Sequence, residues 1–236
     1  MDAVRFERQQ PLGRHQETLT AMPDTHEIYF LRHGETVANL AGRLQGQTNT
    51  PLTERGRRQA RWLASRWLKT GVRFDAVISS PQTRAQETAQ IIHGALSVQP
   101  PIEIEPLLVE RSFGKLEGEQ MADIAARQPA VDYFHPYAAF DGTGETQTDL
   151  YVRALLAVQK VVQRPPGCYL VVSHGAYLTR VFFAVLGISP VGHQTSLTFR
   201  LENTGYLHAL YEHARKRWTV LTITNPAEFE PPPEEA

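Results

Sequence analysis

The stretch IYFLRHGET, residues 28–36, joins an apolar run to a polar turn and decides the fold. Its first four residues are bulky or β-branched and are flanked by polar residues, which predicts a short buried strand. Gly34 permits a tight turn, and the two residues after it can begin a helix. Arg32 and His33 then lie at the carboxyl end of the strand, the edge at which open α/β sheets bind ligands. A buried arginine beside a histidine calls for an anionic partner, which a phosphate would provide.

The composition is that of an ordinary globular protein and argues against several classes. The chain has 236 residues, of which 42% are hydrophobic and 21% charged, which favours one α/β domain. A net charge of -1 gives no support for a nucleic-acid or membrane-surface partner, and no apolar run could span a bilayer. Residues 1–10 lack the apolar core of a signal peptide, and the single cysteine, Cys168, excludes an intrachain disulfide. We therefore expect a cytoplasmic protein without a membrane partner.

Two tails are predicted on either side of one domain. Residues 1–25 are polar and aperiodic, which indicates a flexible N-terminal tail, with Met22 as a second candidate for the start of translation. Residues 225–236, with three consecutive prolines and four glutamates, indicate a flexible C-terminal tail. The domain is then 26–224. Its irregular part, about 110–145, is expected to form a partial cap over the site.

Strands and helices alternate along this domain. We predict strands at 28–31, 76–78, 102–107, 168–172, 195–201, 206–211 and 218–222. We predict helices from Thr53 to about 69, from Pro81 to about 93, from Thr146 to about 163, and after His174 to about 186, with a further short helix within 113–150. This alternation predicts a three-layer α/β/α sandwich with a mixed, mostly parallel central sheet.

Three of the predicted strands end in a polar cluster. The clusters are RHG at 32–34, SSP at 79–81 leading to Arg84, and SHG at 173–175. The carboxyl edge of a parallel sheet brings such ends together. Two arginines and two histidines are therefore expected at one place.

These residue types suit phosphoryl chemistry. Arg32 and Arg84 present forks of donors that match phosphate oxygens, and a helix N-terminus after His33 or His174 would add backbone N–H donors. A histidine there is either a phosphate ligand or a nucleophile. A nucleophilic histidine must be neutral, with its other nitrogen donating to a backbone carbonyl.

Phosphoryl transfer also needs an acid for the departing oxygen. Glu110 directly follows an apolar stretch, so it should lie near the edge of the sheet. Glu35 and Glu117 compete with it, and spacing alone does not choose among the three.

An ordered set of motifs resembles a known family. The motifs are RHGET at 32–36 with Asn39, RLQG at 43–46, SSPQTRAQETA at 79–89, Glu110 with FG at 113–114 and EG at 117–118, GET at 144–146 with Arg153, and VVSHG at 171–175. Together they resemble branch 1 of the histidine phosphatase superfamily, the phosphoglycerate mutase-like group. The resemblance covers roughly residues 26–222 in order. A lone Arg-His-Gly is weak evidence, whereas several ordered blocks are specific.

The resemblance implies a phosphoglycerate mutase-like fold and a role for each matched residue. His33 corresponds to the nucleophile that becomes phosphorylated, and Glu110 to the proton donor. The rest of the implied phosphate and substrate pocket is Arg32, Asn39, Gln45, Gly46, Arg84, His174 and Gly175. The family needs no metal, so neither a metal nor another cofactor is expected. The implied partner is a small phosphomonoester substrate, and a homodimer is compatible because relatives are often dimers.

The sequence departs from the mutases of that family. They typically carry a tyrosine where Phe113 stands, and a longer basic insertion after it, whereas Arg127 is the only basic residue between Lys115 and Arg153. We therefore expect a metal-independent, histidine acid-type phosphatase that hydrolyses a small phosphomonoester. A phosphoglycerate mutase-type phosphotransferase and a non-catalytic phosphate-binding module stay open as alternatives.

The end of the site that would hold the leaving group is less defined. The cap region offers mainly aromatic side chains, namely Phe113, Phe134, His135, Tyr137 and Phe140. Arg111, His135 and His193 are candidates for the same end of the site, although we expect them at the surface. The aromatic side chains permit a sugar phosphate, a nucleotide or a small aryl phosphate, so they do not identify the substrate.

Overall fold

The computed structural model describes residues 24–127, 135–139, 142–189 and 199–225. Its strands are β1 (Thr25–Arg32), β2 (Ala76–Ser79), β3 (Ile102–Ile104), β4 (Cys168–Ser173), β5 (Tyr206–Glu212) and β6 (Arg217–Thr224). Its helices are α1 (Val37–Leu40), α2 (Glu54–Thr70), α3 (Thr83–Ala95), α4 (Met121–Arg127), α5 (Gln147–Val162) and α6 (Gly175–Leu186), with 3₁₀ turns at Pro106–Leu108 and Gly114–Leu116.

The six strands form one mixed sheet in the order β3-β2-β4-β1-β5-β6. Neighbours from β3 to β1 pair in parallel, and β5 and β6 add two antiparallel pairings at the other side. Arg32 lies opposite Ser173 in the register of β1 and β4. The polar ends of β1, β2 and β4 therefore share one edge, and the predicted mostly parallel sheet is confirmed.

Helices cover both faces of the sheet because successive side chains of a strand point to opposite sides. Ile28 and Phe30 of β1 belong to a buried cluster with α5 and α6. Tyr29 and Leu31 belong to a second cluster with α2 and α3. The three-layer α/β/α architecture is therefore confirmed.

Local signals placed the starts of α2 and α5 correctly. The side chain of Thr53 accepts a hydrogen bond from the N–H of Gly56 at the start of α2, and Gly71 ends that helix with a φ of 75°. Thr146 caps α5 in the same way through the N–H of Asp149. The predicted short helix in the irregular region is α4.

Three predicted boundaries differ from the structure. Helix α3 begins at Thr83, because Pro81 lies before the extended N-cap residue Gln82. Leu107 is in a 3₁₀ turn and not in a strand, since Pro106 has no N–H for a ladder and the Glu105 side chain caps the turn. Of the strand predicted at 195–201, residues 199–201 are not in a strand.

Several predictions fall outside the described residues. These are most of the two tails, the predicted strand residues 195–198, and Phe134, Phe140 and His193. The domain limits therefore stay predictions, although Thr25 is already the first residue of β1. Within the part of the chain that the structure describes, no helix is long and apolar enough to cross a membrane.

Candidate active site

A cavity of about 450 Å³ opens at the carboxyl edge of the sheet. Its wall includes eight of the nine predicted site residues. These are Arg32, His33, Asn39, Gln45, Gly46, Arg84, Glu110 and Gly175. The exception is His174, which lies beneath this wall. The predicted convergence of strand ends thus brings the polar residues to one place.

His33 is held as a neutral imidazole with one nitrogen unused. Its Nδ1 lies 2.7 Å from the carbonyl oxygen of Gly34, and because a carbonyl only accepts, Nδ1 must donate. Among the described residues, no group hydrogen-bonds Nε2. Burial, followed by the charges of Arg84 and Arg32, holds the pKa of His33 well below its ordinary value. The tautomer expected of a nucleophile is therefore present.

The turn after His33 depends on two glycines that pack backbone to backbone. A Cβ on Gly34 would lie 2.6 Å from the carbonyl oxygen of Gly56, and a Cβ on Gly56 would meet the carbonyl oxygen of Glu35. The N–H of Gly34 donates to the hydroxyl of Thr88 over 3.0 Å. These contacts fix the direction in which the His33 ring leaves the strand.

Arg84 is a buried cation held by neutral groups. Its side chain is 1% exposed, with Nη1 donating to the carbonyl of Thr48 over 2.7 Å and Nη2 to that of Gly46 over 2.8 Å. Its Nε donates to Nδ1 of His174 over 3.1 Å. Burial lowers the pKa of Arg84 to about 10, so it stays charged at neutral pH. Its charge is thus available to an anion in the cavity.

Arg32 has a donor without a partner. Its Nη1 donates to the carbonyl of Leu201 over 2.5 Å, but its buried Nε makes no hydrogen bond to the protein. A Cβ on Gly175 would lie 3.3 Å from this Nε, so the glycine leaves room beside the guanidinium. A buried orphan donor on a cation suits an anionic ligand.

His174 lies behind the cavity and positions Arg84. Since its Nδ1 accepts from Arg84, its Nε2 carries the proton and donates to the Ser80 hydroxyl over 2.8 Å. Its ring centre lies 5.2 Å from that of His33. Burial keeps the pKa of His174 well below its ordinary value. In this arrangement His174 does not reach the cavity, and direct contact with a phosphate stays a prediction.

Glu110 has one oxygen that is anchored and one that is freer. Oε1 accepts from the N–H groups of Arg111 and Tyr177, both over 2.8 Å, and Oε2 accepts from the N–H of Ala176 over 3.2 Å. The two donors from the first turn of α6 therefore serve Glu110. The prediction that N–H groups at this helix start bind a phosphate is therefore wrong for Ala176 and Tyr177.

The two competing carboxylates are engaged elsewhere. Glu35 pairs with Arg55 over 2.7 Å and accepts from the Thr53 hydroxyl over 2.7 Å. Glu117 accepts from the N–H of Phe113 over 3.0 Å. Neither belongs to the cavity wall. Geometry therefore favours Glu110 as the acid.

Asn39 and Gln45 are wall residues whose amide oxygens are occupied, so their amide nitrogens are the groups left to donate to a ligand. Oδ1 of Asn39 accepts from the N–H of Thr36 and from the side chain of Asn203, both over 3.2 Å. Oε1 of Gln45 accepts from the hydroxyls of Thr36, over 2.9 Å, and Thr50, over 2.5 Å. This polarity suits an anion.

Comparison with known proteins agrees with this geometry. Residues 28–225 match the family described as the histidine phosphatase superfamily (branch 1). The chain belongs to this superfamily. A Serratia proteamaculans member named "Probable phosphoglycerate mutase GpmB" is 36% identical over 170 residues, covering 69% of this chain and 75% of the relative.

Solved structures of the superfamily share the fold. Bacillus stearothermophilus YhfR is 32% identical with a TM-score of 0.70, over 84% of this chain and 96% of that one. Phosphoserine phosphatase from Entamoeba histolytica was solved in complex with 3-phosphoglyceric acid. It is 26% identical with a TM-score of 0.71, over 85% of this chain and 97% of that one. The predicted family and fold class are confirmed, and the superfamily relatives include both phosphatases and mutases.

Gln82 is a buried residue of the site that the sequence analysis did not predict, and it joins two segments of the site. Its side chain is 5% exposed, with Nε2 donating to the carbonyl of Gly46 over 3.1 Å and Oε1 accepting from the N–H of Glu110 over 2.7 Å. It ties the loop that holds Arg84 to the segment that carries the acid. It lies within the quoted block 79–89, but no local pattern indicates this bridge.

The outer part of the cavity has apolar walls and a basic rim. Its side chains are Arg43, Leu44, Phe113, Met121, Phe199 and Arg200. Of the predicted aromatic residues that the structure describes, Phe113 is in the wall, while His135 and Tyr137 are not. Arg111 is 4% exposed, so its expected surface position is wrong.

No metal centre is found in the described parts of the chain. There, no three or more histidine, cysteine, aspartate or glutamate side chains are grouped so as to hold an ion. The positive charge at the cavity comes from arginine side chains.

Proposed function

We propose that this superfamily member is a metal-independent phosphatase that hydrolyses a small phosphomonoester through a phosphohistidine at His33. The observation that supports the proposal most is the buried, neutral His33, whose Nε2 makes no hydrogen bond to the described residues. His33 shares one cavity wall with Arg32, whose Nε has no hydrogen-bond partner, and with the carboxyl group of Glu110. These are a nucleophile, a phosphate donor and an acid. Membership in a superfamily of phosphatases and mutases supports it.

Phosphate binding would use charge that the fold already concentrates. The Nε of Arg32 would donate to one phosphate oxygen, and the amides of Asn39 and Gln45 would donate to others. Arg84 would contribute its buried charge with its fork oriented by two carbonyls and His174. These cations would take the part that a metal ion plays in other phosphatases.

The reaction would proceed in two displacements. Nε2 of His33 attacks phosphorus, and the bond from phosphorus to the ester oxygen breaks as the N–P bond forms. Glu110 gives a proton to the departing oxygen, so the alcohol leaves neutral. A water then attacks phosphorus while the Glu110 carboxylate takes its proton. The N–P bond breaks, which releases inorganic phosphate and restores His33.

The position of Glu110 suggests which oxygen carries the proton. Oε1 is committed to two short backbone hydrogen bonds, whereas Oε2 receives one long contact. We assign the transferable proton to Oε2. The anchored Oε1 would keep the carboxyl oriented through both displacements.

A phosphoglycerate mutase-type phosphotransferase is the second candidate. Relatives that carry the mutase name, together with Arg43 and Arg200 at the rim, favour it. Such an enzyme would form the same phosphohistidine at His33, but would transfer the phosphoryl group from it to another hydroxyl oxygen of the substrate and not to water. The scarcity of basic residues between Lys115 and Arg153 keeps hydrolysis ahead.

The proposal is tested by phosphate release from a panel of phosphomonoesters with a chelator present. A parallel assay uses 3-phosphoglycerate with 2,3-bisphosphoglycerate. We expect chelator-insensitive release, and a base-stable, acid-labile phosphoenzyme that is lost in His33→Ala. His93→Gln is the matched control, since His93 lines no part of the cavity.

Other outcomes would contradict the proposal. Isomerisation without phosphate release would establish the mutase. Turnover by His33→Ala equal to that of the unaltered protein would exclude the nucleophile. Phosphate binding without any turnover would favour the non-catalytic binding module.

A further inference from the structure

One motif of the sequence has no part in the chemistry proposed above. It consists of GET at 144–146 with Arg153, and neither Glu145 nor Arg153 belongs to the cavity wall. The side chains of Arg153 and Glu145 are mostly buried, at 15% and 14% exposed, and Nη2 of the arginine lies 2.8 Å from Oε2 of the glutamate. Burying an ion pair is costly unless the pair makes further hydrogen bonds, so its other contacts indicate its role.

Arg153 holds the chain segment that carries Glu110. Its Nη1 donates to the carbonyl of Leu107 over 2.7 Å and to that of Val109 over 2.6 Å, and its Nη2 donates to the carbonyl of Glu110 over 3.2 Å. Residues 109–113 lie in neither a helix nor a strand, so no backbone ladder fixes them. One guanidinium therefore binds three carbonyls within four residues.

Glu145 orients this guanidinium and holds the chain just after Glu110. Its Oε1 accepts from Nε of Arg153 over 2.9 Å, so both carboxylate oxygens bind the arginine. Its Oε2 also accepts from the N–H of Ser112 over 3.3 Å, and the N–H of Glu145 donates to the carbonyl of Ser112 over 2.8 Å. The Arg153–Glu145 pair therefore binds the backbone on both sides of the proposed acid.

The same guanidinium packs on the residue that anchors the carboxyl group of Glu110. It lies 4.6 Å from the ring centre of Tyr177, which is fully buried. The N–H of Tyr177 donates to Oε1 of Glu110 over 2.8 Å, and the Tyr177 hydroxyl donates to the carbonyl of Arg153 over 3.4 Å. Arg153 thus contacts both the backbone of Glu110 and the residue that orients its carboxyl group.

We propose that Arg153 and Glu145 are positioning residues for proton transfer by Glu110. The inference rests on the proposed phosphatase function. The pair does not touch the reacting atoms, and it acts by holding the carboxyl group where Oε2 meets the departing oxygen. His33 is oriented by a different contact, to the carbonyl of Gly34, so its attack on phosphorus does not depend on the pair.

The test measures the first displacement in Arg153→Met, which keeps an unbranched side chain without donors. A rapid base quench follows the phosphoenzyme formed from p-nitrophenyl phosphate and from the alkyl ester that the unaltered protein hydrolyses fastest. The rate with the alkyl ester should fall about 10- to 100-fold, as expected when a catalytic group is displaced by about 1 Å. The rate with p-nitrophenyl phosphate should change less than about threefold, because that leaving group needs no proton.

Two further variants separate positioning from a general effect on stability. In a Glu110→Gln background, Arg153→Met should lower the alkyl-ester rate by less than about a further threefold, because the two changes remove the same function. A structural residue would lower that rate by the same factor in both backgrounds. Glu145→Gln keeps the shape of the side chain and weakens its hold on the guanidinium, so it should show the same selective loss at a smaller size.

Arg164→Met is the matched control. Arg164 also binds a glutamate through two nitrogens, with contacts of 2.9 Å and 2.5 Å to Glu103, and its guanidinium lies 5.7 Å from the ring centre of Tyr169. It makes no hydrogen bond to the segment that carries Glu110, within the residues that the structure describes. This variant should leave both rates within about threefold of the unaltered protein.

The outcomes distinguish this inference from the phosphatase proposal. Equal losses on the two esters, or additive losses with Glu110→Gln, would make Arg153 a structural residue and overturn the positioning role alone. No change in either rate would also overturn it. Absence of a phosphoenzyme in the unaltered protein would overturn the phosphatase and the positioning role together. If Arg153→Met fails to fold, Arg153→Lys and Glu145→Gln provide the same comparison.

Discussion

The Nε of Arg84 donates to Nδ1 of His174 over 3.1 Å, so a neutral histidine, and not a carboxylate, orients this buried cation. Protonation of His174 would place a hydrogen on Nδ1 and set two positive charges against each other. The ring of His33 lies 5.2 Å from that of His174 and shares the same cationic surroundings. Both histidines therefore stay neutral in the folded protein under conditions in which free histidine is charged.

This predicts a loss of stability in mild acid. The pKa values of both histidines are lowered in the folded state, so below the ordinary value of 6.5 the unfolded chain binds more protons than the folded one. The free energy of unfolding should fall as the pH decreases below 6.5, by up to about 2.7 kcal/mol per pH unit for the pair. Urea denaturation at pH 7.5, 6.5 and 5.5 measures it. His174→Asn should show about half the slope, and an unaltered slope would contradict the assignment.

Glu110→Gln should separate substrates by their leaving groups. An alkyl phosphate needs the proton from Glu110, so its turnover should drop about 10²- to 10⁴-fold. An activated aryl phosphate leaves without that proton and should lose much less. Steady-state kinetics on both esters measures the difference. Equal losses on the two would show that the residue acts through structure and not as an acid.

Gln82→Ala should weaken both the fold and the catalytic rate. The change leaves the carbonyl of Gly46 with one donor fewer and the buried N–H of Glu110 without a partner, which costs about 1–3 kcal/mol. The acid and the Arg84 loop would also lose their link, so kcat should fall more than KM rises. Gln86→Ala is the control, because Gln86 lies in α3, which begins directly after Gln82, and its side chain donates one hydrogen bond, to the carbonyl of Pro81. If the two variants behave alike, Gln82 has no positioning role.

Gly56→Ala and Gly94→Ala should have opposite effects on stability. A Cβ on Gly56 would lie 2.7 Å from the backbone nitrogen of Glu35, and the overpacking should cost about 1–3 kcal/mol and displace the turn after His33. Gly94 is exposed in α3 with no atom within 4 Å of an added Cβ, so alanine there should be neutral or stabilise by up to about 1 kcal/mol. Thermal unfolding and activity of both variants measure this. Tolerance of alanine at position 56 would mean that the turn is not fixed by this contact.

Local sequence was sufficient for the parts of the fold that local forces decide. The apolar run before Arg32 and the cap at Thr53 each have a local physical cause, and both predictions were confirmed. The strand order was out of reach, because the position of β4 between β1 and β2 depends on contacts between segments far apart in the chain. Leu107 is a local example of a wrong prediction. Its apolar side chain suggested a strand, but Pro106 and the side chain of Glu105 place it in a 3₁₀ turn.

The candidate site likewise has residues that the local sequence predicts and residues whose environment depends on distant segments. Strand ends predicted that Arg32, His33 and Arg84 would converge, and they line one cavity. Gln82 was missed because its environment is created by segments far from it in the chain, those of Gly46 and Glu110. The spacing of residues also could not show that the first N–H groups of α6 would serve Glu110.

That last contact ties the chemistry of the protein to its folding. The carboxyl that would give up a proton in each cycle is also the group that satisfies the first turn of α6. A descendant without catalytic activity would still be selected to keep Glu110, because its loss would leave the N–H groups of Ala176 and Tyr177 without their acceptor. His33 caps no helix. Among relatives of this chain, replacement of that histidine, and not of the glutamate, would therefore mark the lineages that have given up phosphoryl transfer.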